Sequence, residues 1–320
     1  HIHVDDPDSV FTVAREFGEV TGQKADDMHR QQSATHGKSG SFAVITDSGA
    51  DIPDEDLERL DIHMVPCRIQ FGDRGYLDKV SITTDEFYKQ LATNPHHPTT
   101  SQPSPGDYRR HFQFLKSHYP NVLSINLTSK ASGTYEGARA AAERSGSADR
   151  IEVIDSSNAS VGQGLLVVLA AECATAGFGI EETIRIIERE IPRTRTFAIL
   201  RNLRFAVRGG RFPGWVGLIS NALRLTPVIG FGRNGAIGLM SCLIGRRHAV
   251  VQFARFIAKR IGGEAVQIGI GDAMCADDAI ALRQALVNLV PGATRIAMCD
   301  LGTAIGVLGG PGAVVVSYRP

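Results

Sequence analysis

Short apolar runs alternate with stretches of helical periodicity along most of the chain. Phe42 to Thr46 is a compact apolar run and Pro53 to Leu60 is helical in spacing, and a further extended run covers His63 to Phe71. Val122 to Leu127 predicts a strand and Ser132 to Arg144 an alanine-rich helix; Ile151 to Ile154 predicts a strand and Ala159 to Ala176 a long helix. Apolar strands alternating with helices argue a mainly parallel α/β sheet covered on both faces. The second half has a helical Glu181 to Glu190, a run Phe197 to Val207 ended by Gly209 and Gly210, and helical spacing over Trp215 to Leu225. Thr226 to Phe231 and Ala236 to Ser241 flank Arg233, Asn234 and Gly235, and Asn-Gly is a favoured hairpin turn. A helix from about His248 to Ile261, a strand Ala265 to Gly269, a helix Ala276 to Val290 and strands Thr294 to Met298 and Ala313 to Tyr318 complete a second α/β domain.

The first residues follow another pattern. His1 to Val4 predicts a short strand and a helix begins near Asp8 or Ser9, whereas Ser33 to Ser41 is small, polar and free of apolar periodicity, as flexible linkers are. The expected division is therefore residues 1–40, an N-terminal α/β domain over 41–160 and a C-terminal α/β domain over 161–320. The chain starts at His1, without a methionine or a signal pattern, so a processed or truncated piece of a longer product is expected.

Composition narrows the function. At 320 residues and 43% hydrophobic, the chain can fill one large or two ordinary domains. Thirty-four basic against 34 acidic residues leave zero formal charge, without the electrostatic footprint of a nucleic-acid or anionic-membrane binder. The longest apolar stretch, Leu165 to Ala171, ends at Glu172, well short of the roughly 18 residues that span a bilayer. Five scattered cysteines in no CxxC spacing indicate neither a disulfide framework nor a structural zinc site, and fit a cytoplasmic setting.

Three segments share hydroxyls and glycine beside predicted strands or helices: Thr99 to Ser104, Leu127 to Thr134 and Asp155 to Ser160. At the carboxyl edge of a parallel sheet such loops and helix N-termini receive a small anionic group. Taken singly, Ser104 with Pro105, Ser132 and Ser157 read more simply as helix caps. Ser132 as a nucleophile lacks support, because no GxSxG elbow exists and no histidine follows His248. Gly230 to Gly235 spells GxGxxG, yet a strand rather than a helix follows it, so the glycines serve the hairpin. Gly37-Lys38-Ser39 lacks the upstream glycine of a P-loop. His1 and His3 with Asp5 and Asp6, or His96 with His97, read as a solvated terminus and a proline-flanked loop before they read as metal ligands.

In order, Asp47-Ser48-Gly49-Ala50-Asp51, Thr100-Ser101-Gln102-Pro103-Ser104, Ser129 to Thr134, Val153-Ile154-Asp155-Ser156 and Gly209-Gly210-Arg211 resemble the DegV family of bacterial fatty-acid-binding proteins over residues 41 to 320. The resemblance implies two α/β domains with one long-chain fatty acid between them, no turnover and no cofactor or metal, and a fatty acid kinase as the partner that makes the acyl phosphate. Thr100 and Ser132 match the hydroxyls that bind the carboxylate, and Ser101, Gly133 and Thr134 complete the candidate set. Arg211 matches an arginine linked to kinase docking or phosphoryl transfer. His1 to Pro7, with Gly18-Glu19 and Asp27-Met28, resembles the tail of such a kinase, related to dihydroxyacetone kinases, which implies a kinase–carrier fusion. The family's His-x-Gly-Pro-Gly stretch reads Leu308-Gly309-Gly310-Pro311-Gly312 here, and Arg246 and Arg247 are the nearest candidates for a second arginine. The rival class is a hydrolase or an acyl or phosphoryl transferase using the loops around Thr100 and Ser132. Leu165 to Ala171 and Trp215 to Leu225 are candidate tunnel walls, with core packing as the alternative.

Overall fold

A computed structural model describes Val10, Val13, Ala14 and residues 16–18, 41–146, 148–210, 225–232, 234–245 and 248–320. Strand β1 (Ala43–Asp47) is buried at every residue, as a central strand must be. Pro53 then turns the chain into α1 (Asp54–Arg59), where three acidic residues occupy the first turn, the electropositive end. The extended run from His63 divides into β2 (His63–Val65) and β3 (Arg68–Phe71) at Pro66, which has no amide to donate to a ladder. Gly72, at φ +54°, turns β3 into β4 (Arg74–Leu77). There follow α2 (Thr84–Thr93), β5 (Thr99–Ser101), α3 (Pro105–His118), β6 (Val122–Asn126), α4 (Thr134–Glu143) and β7 (Ile151–Asp155). Strands in the order β2-β1-β6-β7 form the parallel sheet, and β4-β3-β5 make a small antiparallel sheet beside it.

The chain continues through α5 (Ser160–Thr175), α6 (Ile180–Glu190), β8 (Arg195–Ile199), α7 (Arg204–Arg208), β9 (Leu225–Phe231) and β10 (Ile237–Ile244). Then come α8 (Ala249–Ile261), β11 (Val266–Asp272), α9 (Ala276–Leu289), β12 (Ala293–Asp300), α10 (Thr303–Gly309) and β13 (Val314–Arg319). The second sheet runs β10-β9-β8-β13-β11-β12 and is mixed, with only β11 and β12 parallel.

Helix α5 lies between the two sheets, against β1 and β6 on one side and β8, β11 and β13 on the other. Its apolar residues run all round the helix for that reason. Gly164 lets the Asp51 backbone pass where a side chain would collide. Leu166 to Val168, Ala170 and Ala171 pack with Val44, Leu123 and Ile125 in the core, so the stretch expected as a tunnel wall is core. The expected division after residue 160 falls at the head of this helix, whose side chains serve both layers.

Polar groups join the layers at α10. The Gly302 amide donates to Asp51 Oδ1 at 2.9 Å, the Thr303 hydroxyl to Asp78 Oδ1 at 2.5 Å and the Ala304 amide to Asp78 Oδ2 at 3.3 Å. Two aspartates of the first half thus satisfy the opening donors of a helix in the second, donors that a helix cannot satisfy itself. No helix among the described residues is long and apolar enough to cross a membrane.

Candidate functional site

A cavity of about 360 Å³ opens between the two halves, within the roughly 300–1,000 Å³ usual for small-molecule sites. Most of its polar part comes from two of the expected loops. Thr100 is on β5, paired opposite Ile69 of β3, and Ser101 and Gln102 follow it into the lining. Ala131, Ser132, Gly133 and Thr134 line it from the N-terminus of α4. All five expected ligand-binding residues, Thr100, Ser101, Ser132, Gly133 and Thr134, thus face one cavity.

Capping is settled differently in each loop. Ser104 caps α3 in a reciprocal capping box with Asp107. At α4 the cap is Gly133, without a side-chain bond, and Ser132 stands one residue earlier. The Ser132 and Thr134 hydroxyls lie 2.7 Å apart, and the Thr134 amide donates to Ser132 Oγ at 3.3 Å. Gln102 lies over Gly133, where its side-chain oxygen takes the place of a Cβ. Ser157 is not the cap of α5, whose cap position is Ala159; from that third loop Ala159 and Ser160 reach the cavity.

The rest of the lining is mostly apolar, with Thr196 of β8 the one hydroxyl beyond the three loops: Phe197, Ala198 and Leu200 around β8, Ile229 and Phe231 of β9, Ile237 of β10, Val315 of β13, and Ala304, Ile305 and Leu308 of α10. The hairpin turn closes on the first half, where Thr128 Oγ1 donates to the Gly235 carbonyl at 3.0 Å. Gly235 has φ +76° and Ser157 Cα stands 3.1 Å from where its Cβ would be, so both backbone and space call for glycine. Gly230 to Gly235 therefore serves the hairpin, as its context predicted.

No charged side chain lines the cavity among the described residues, so an anion there meets neutral donors and the α4 N-terminus. An ionic group lies one hydrogen bond behind the lining. Ser160, at φ +54°, donates to Asp51 Oδ2 at 2.7 Å, and Asp51 Oδ1 takes Lys79 Nζ at 3.2 Å. Burial opposes the charge of Lys79, but Asp51 and Asp78 outweigh it and hold the amine above its ordinary value. Burial, reinforced by Asp47 and Asp78, pushes the Cys67 thiol in the lining far up, which removes it as a nucleophile.

No histidine lines the cavity among the described residues, and Ser132 Oγ faces Thr134 rather than a base. Leu308 does line it, where the resemblance places a histidine near the head group. Arg211, Trp215 to Arg224, Arg246 and Arg247 lie outside the described residues, as do His1 to Ser9 and the linker up to Gly40. The sequence reading reaches Ser160 only as the last residue of the third hydroxyl segment, without its bond to Asp51, and misses α10. A serine at an apolar helix start carries no mark of a left-handed conformation, and three glycines across Gly302 to Gly309 hide a helix.

A model for the family described as "Uncharacterised protein, DegV family" matches residues 41–320. A DegV domain-containing protein of Deinococcus radiodurans is 28% identical over 283 residues, covering 88% of this chain and 99% of that protein. Another, from Caldanaerobacter subterraneus subsp. tengcongensis, is 34% identical over 209 residues, 65% of this chain and 74% of that one. Among solved structures, a fatty-acid-binding DegV family protein from Thermus thermophilus matches with TM-score 0.80 and 26% identity, over 87% of this chain and 99% of that one. DegV, a fatty acid binding protein from Bacillus subtilis, matches with TM-score 0.76 and 27% identity, over 88% and 99%. With the matched region covering both sheets and every residue of the cavity, this chain belongs to the DegV family.

Proposed function

We propose that the chain binds one long-chain fatty acid, its carboxylate on Thr100, Ser132 and Thr134 and its tail along β8, β9 and α10, and presents the head group to a fatty acid kinase for acyl-phosphate formation. The observation that carries the reading is the division of one cavity into a hydroxyl-lined part and a mainly apolar part, with no charged residue in either among the described residues. Burying about fifteen methylenes at roughly 0.8 kcal/mol each gives some 12 kcal/mol of gross transfer energy, whereas hydrogen bonds to a charged group contribute about 1.5–3 kcal/mol apiece. The tail supplies affinity and the hydroxyls supply orientation. The DegV structures described as fatty-acid-binding support the ligand class. Hydrolysis finds no support, since Ser132 Oγ meets Thr134 and no histidine lines the cavity among the described residues.

The kinase step rests on the sequence resemblance. Arg211 is the proposed docking or phosphoryl-transfer residue, and the likeness of residues 1–40 to a kinase tail supports a carrier linked to its kinase, in one polypeptide or in trans, in the cytoplasm. Titration of the delipidated chain with a C16 or C18 fatty acid, followed by ATP and a fatty acid kinase, tests both parts. One-to-one binding and acyl phosphate are expected; an absence of binding overturns the carrier reading, and binding without acyl phosphate overturns the kinase step.

A further inference from the structure

Helix α7 carries Arg204 and Arg208 one turn apart, both exposed. Neither forms an ion pair with a carboxylate among the described residues, whereas Arg201 just before the helix pairs with Asp278 at 2.6 Å. His97, on the loop into β5, completes the group. Its ring centre is 6.1 Å from that of Phe205, and the Arg204 guanidinium carbon is 4.7 Å from the same Phe205 ring. His97 Nε2 is shielded from solvent and has no hydrogen-bond partner among the described residues.

Each feature has a cost. A shielded polar nitrogen left unpaired loses the hydrogen bond that water would give it. Like charges at i and i+4 repel. An oxyanion between the three side chains relieves both at once, and the planar guanidinium fork suits phosphoryl oxygens. We propose that His97, Arg204 and Arg208 form an oxyanion site on the rim of the cavity that takes a phosphoryl group.

Its place in the fold supports this. Ala206, between the two arginines, lines the cavity, and Thr100, three residues after His97, stands in its polar part. Three residues of extended chain span at most about 11 Å, so the site lies within reach of the carboxylate position. Burial, and then Arg208 and Arg204, hold the imidazole below its ordinary value of 6.5, so without an anion it stays largely neutral near pH 7. An anion favours its protonation and gains a third cationic donor. The site thereby supplies, from the first half of the chain, the imidazole that Leu308 does not. Free phosphate and the head of an acyl phosphate share this chemistry; the second source rests on the function proposed above, and the first does not.

The test uses the whole chain with two probes. Inorganic phosphate is titrated against the imidazole NMR resonances of His97, and a C16 alkyl phosphonate is compared with the C16 fatty acid for affinity. Saturable shifts of His97 at low millimolar phosphate are expected, weakened at least tenfold in Arg204→Ala/Arg208→Ala, which keeps its fatty-acid affinity within twofold. The phosphonate is expected to bind at least tenfold more tightly than the fatty acid, and to lose that advantage in the double variant. Arg208→Ala alone, which leaves the Arg204 contact with Phe205 in place, is expected to show part of each loss. An unshifted His97 overturns the site, and loss of kinase coupling in the double variant despite an unshifted His97 would assign the arginines to an acidic protein surface instead. Shifts with phosphate but no preference for the phosphonate support free phosphate as the ligand and overturn the acyl-phosphate source. Failure of the fatty acid itself to bind defeats the carrier reading, and the phosphate titration still decides the site.

Discussion

The Leu308 side chain occupies the place that a Cβ on Gly209 would take. Gly209 has φ −71°, an ordinary value, so space rather than conformation calls for glycine there. The contact seats α10 against the end of α7 and leaves Leu308 facing the cavity. Gly209→Ala is expected to push Leu308 into the ligand's volume and weaken fatty-acid binding about tenfold, near 1.4 kcal/mol, as overpacking does. Calorimetric titration of the folded variant checks this.

Position 308 also distinguishes the proposed binding from the proposed phosphoryl transfer. Leucine adds apolar contact but can neither donate a hydrogen bond nor offset charge as phosphate is transferred; histidine can do both. Leu308→His is expected to raise the rate of acyl-phosphate formation with a fatty acid kinase while changing lipid affinity little. Measuring both quantities in one preparation checks it, and an unchanged or lower rate in a folded, lipid-loaded variant means that the charge is supplied elsewhere.

In the proposed binding mode the hydroxyls carry orientation. There, removing Thr100 and Ser132 together takes two donors from the head group and breaks the Ser132–Thr134 contact. Thr100→Ala/Ser132→Ala is expected to weaken fatty-acid binding by about 2–5 kcal/mol for the pair. A matched titration with the fatty alcohol, which carries no charge, is expected to show a much smaller loss.

The readability of the fold follows from where each element's stabilising contacts come from. Strand β1, helix α5 and the hairpin around Asn234-Gly235 could be read because their patterns are local: uninterrupted burial, an apolar circumference and a turn dipeptide. Helix α10 could not, since its glycines disfavour a helix and its first donors are held by Asp51 and Asp78, more than 220 residues earlier in sequence. The hydroxyl parts of the cavity stood out as two short segments. Its apolar walls did not, because Ala198, Ile229 and Val315 become neighbours only through the pairing of β9, β8 and β13.

One interdomain ion pair sets an acid dependence. Arg295 of β12 reaches Asp56 Oδ2 at 2.6 Å and Arg59 reaches Oδ1 at 2.8 Å. Burial raises the Asp56 carboxyl, but the bonds and charges of Arg295 and Arg59 outweigh it and hold it below 3.8. A folded-state value below the unfolded one contributes stability above about pH 3.8 that is lost as pH falls through the lowered value. Asp47 and Asp78, raised by burial, act in the opposite sense, so the informative quantity is a difference. Asp56→Asn is expected to be less stable than the parent at pH 7, with the gap narrowing below pH 4 in thermal unfolding scans.

The claim that this chain carries a fatty acid is tested most directly by its own cargo. Mass spectrometry of an organic extract from the purified, folded chain is expected to show long-chain fatty acid close to one per protein, and far less from Thr100→Ala/Ser132→Ala. An extract without fatty acid, from a chain that also fails to take up a C16 or C18 acid when offered it, would contradict the account.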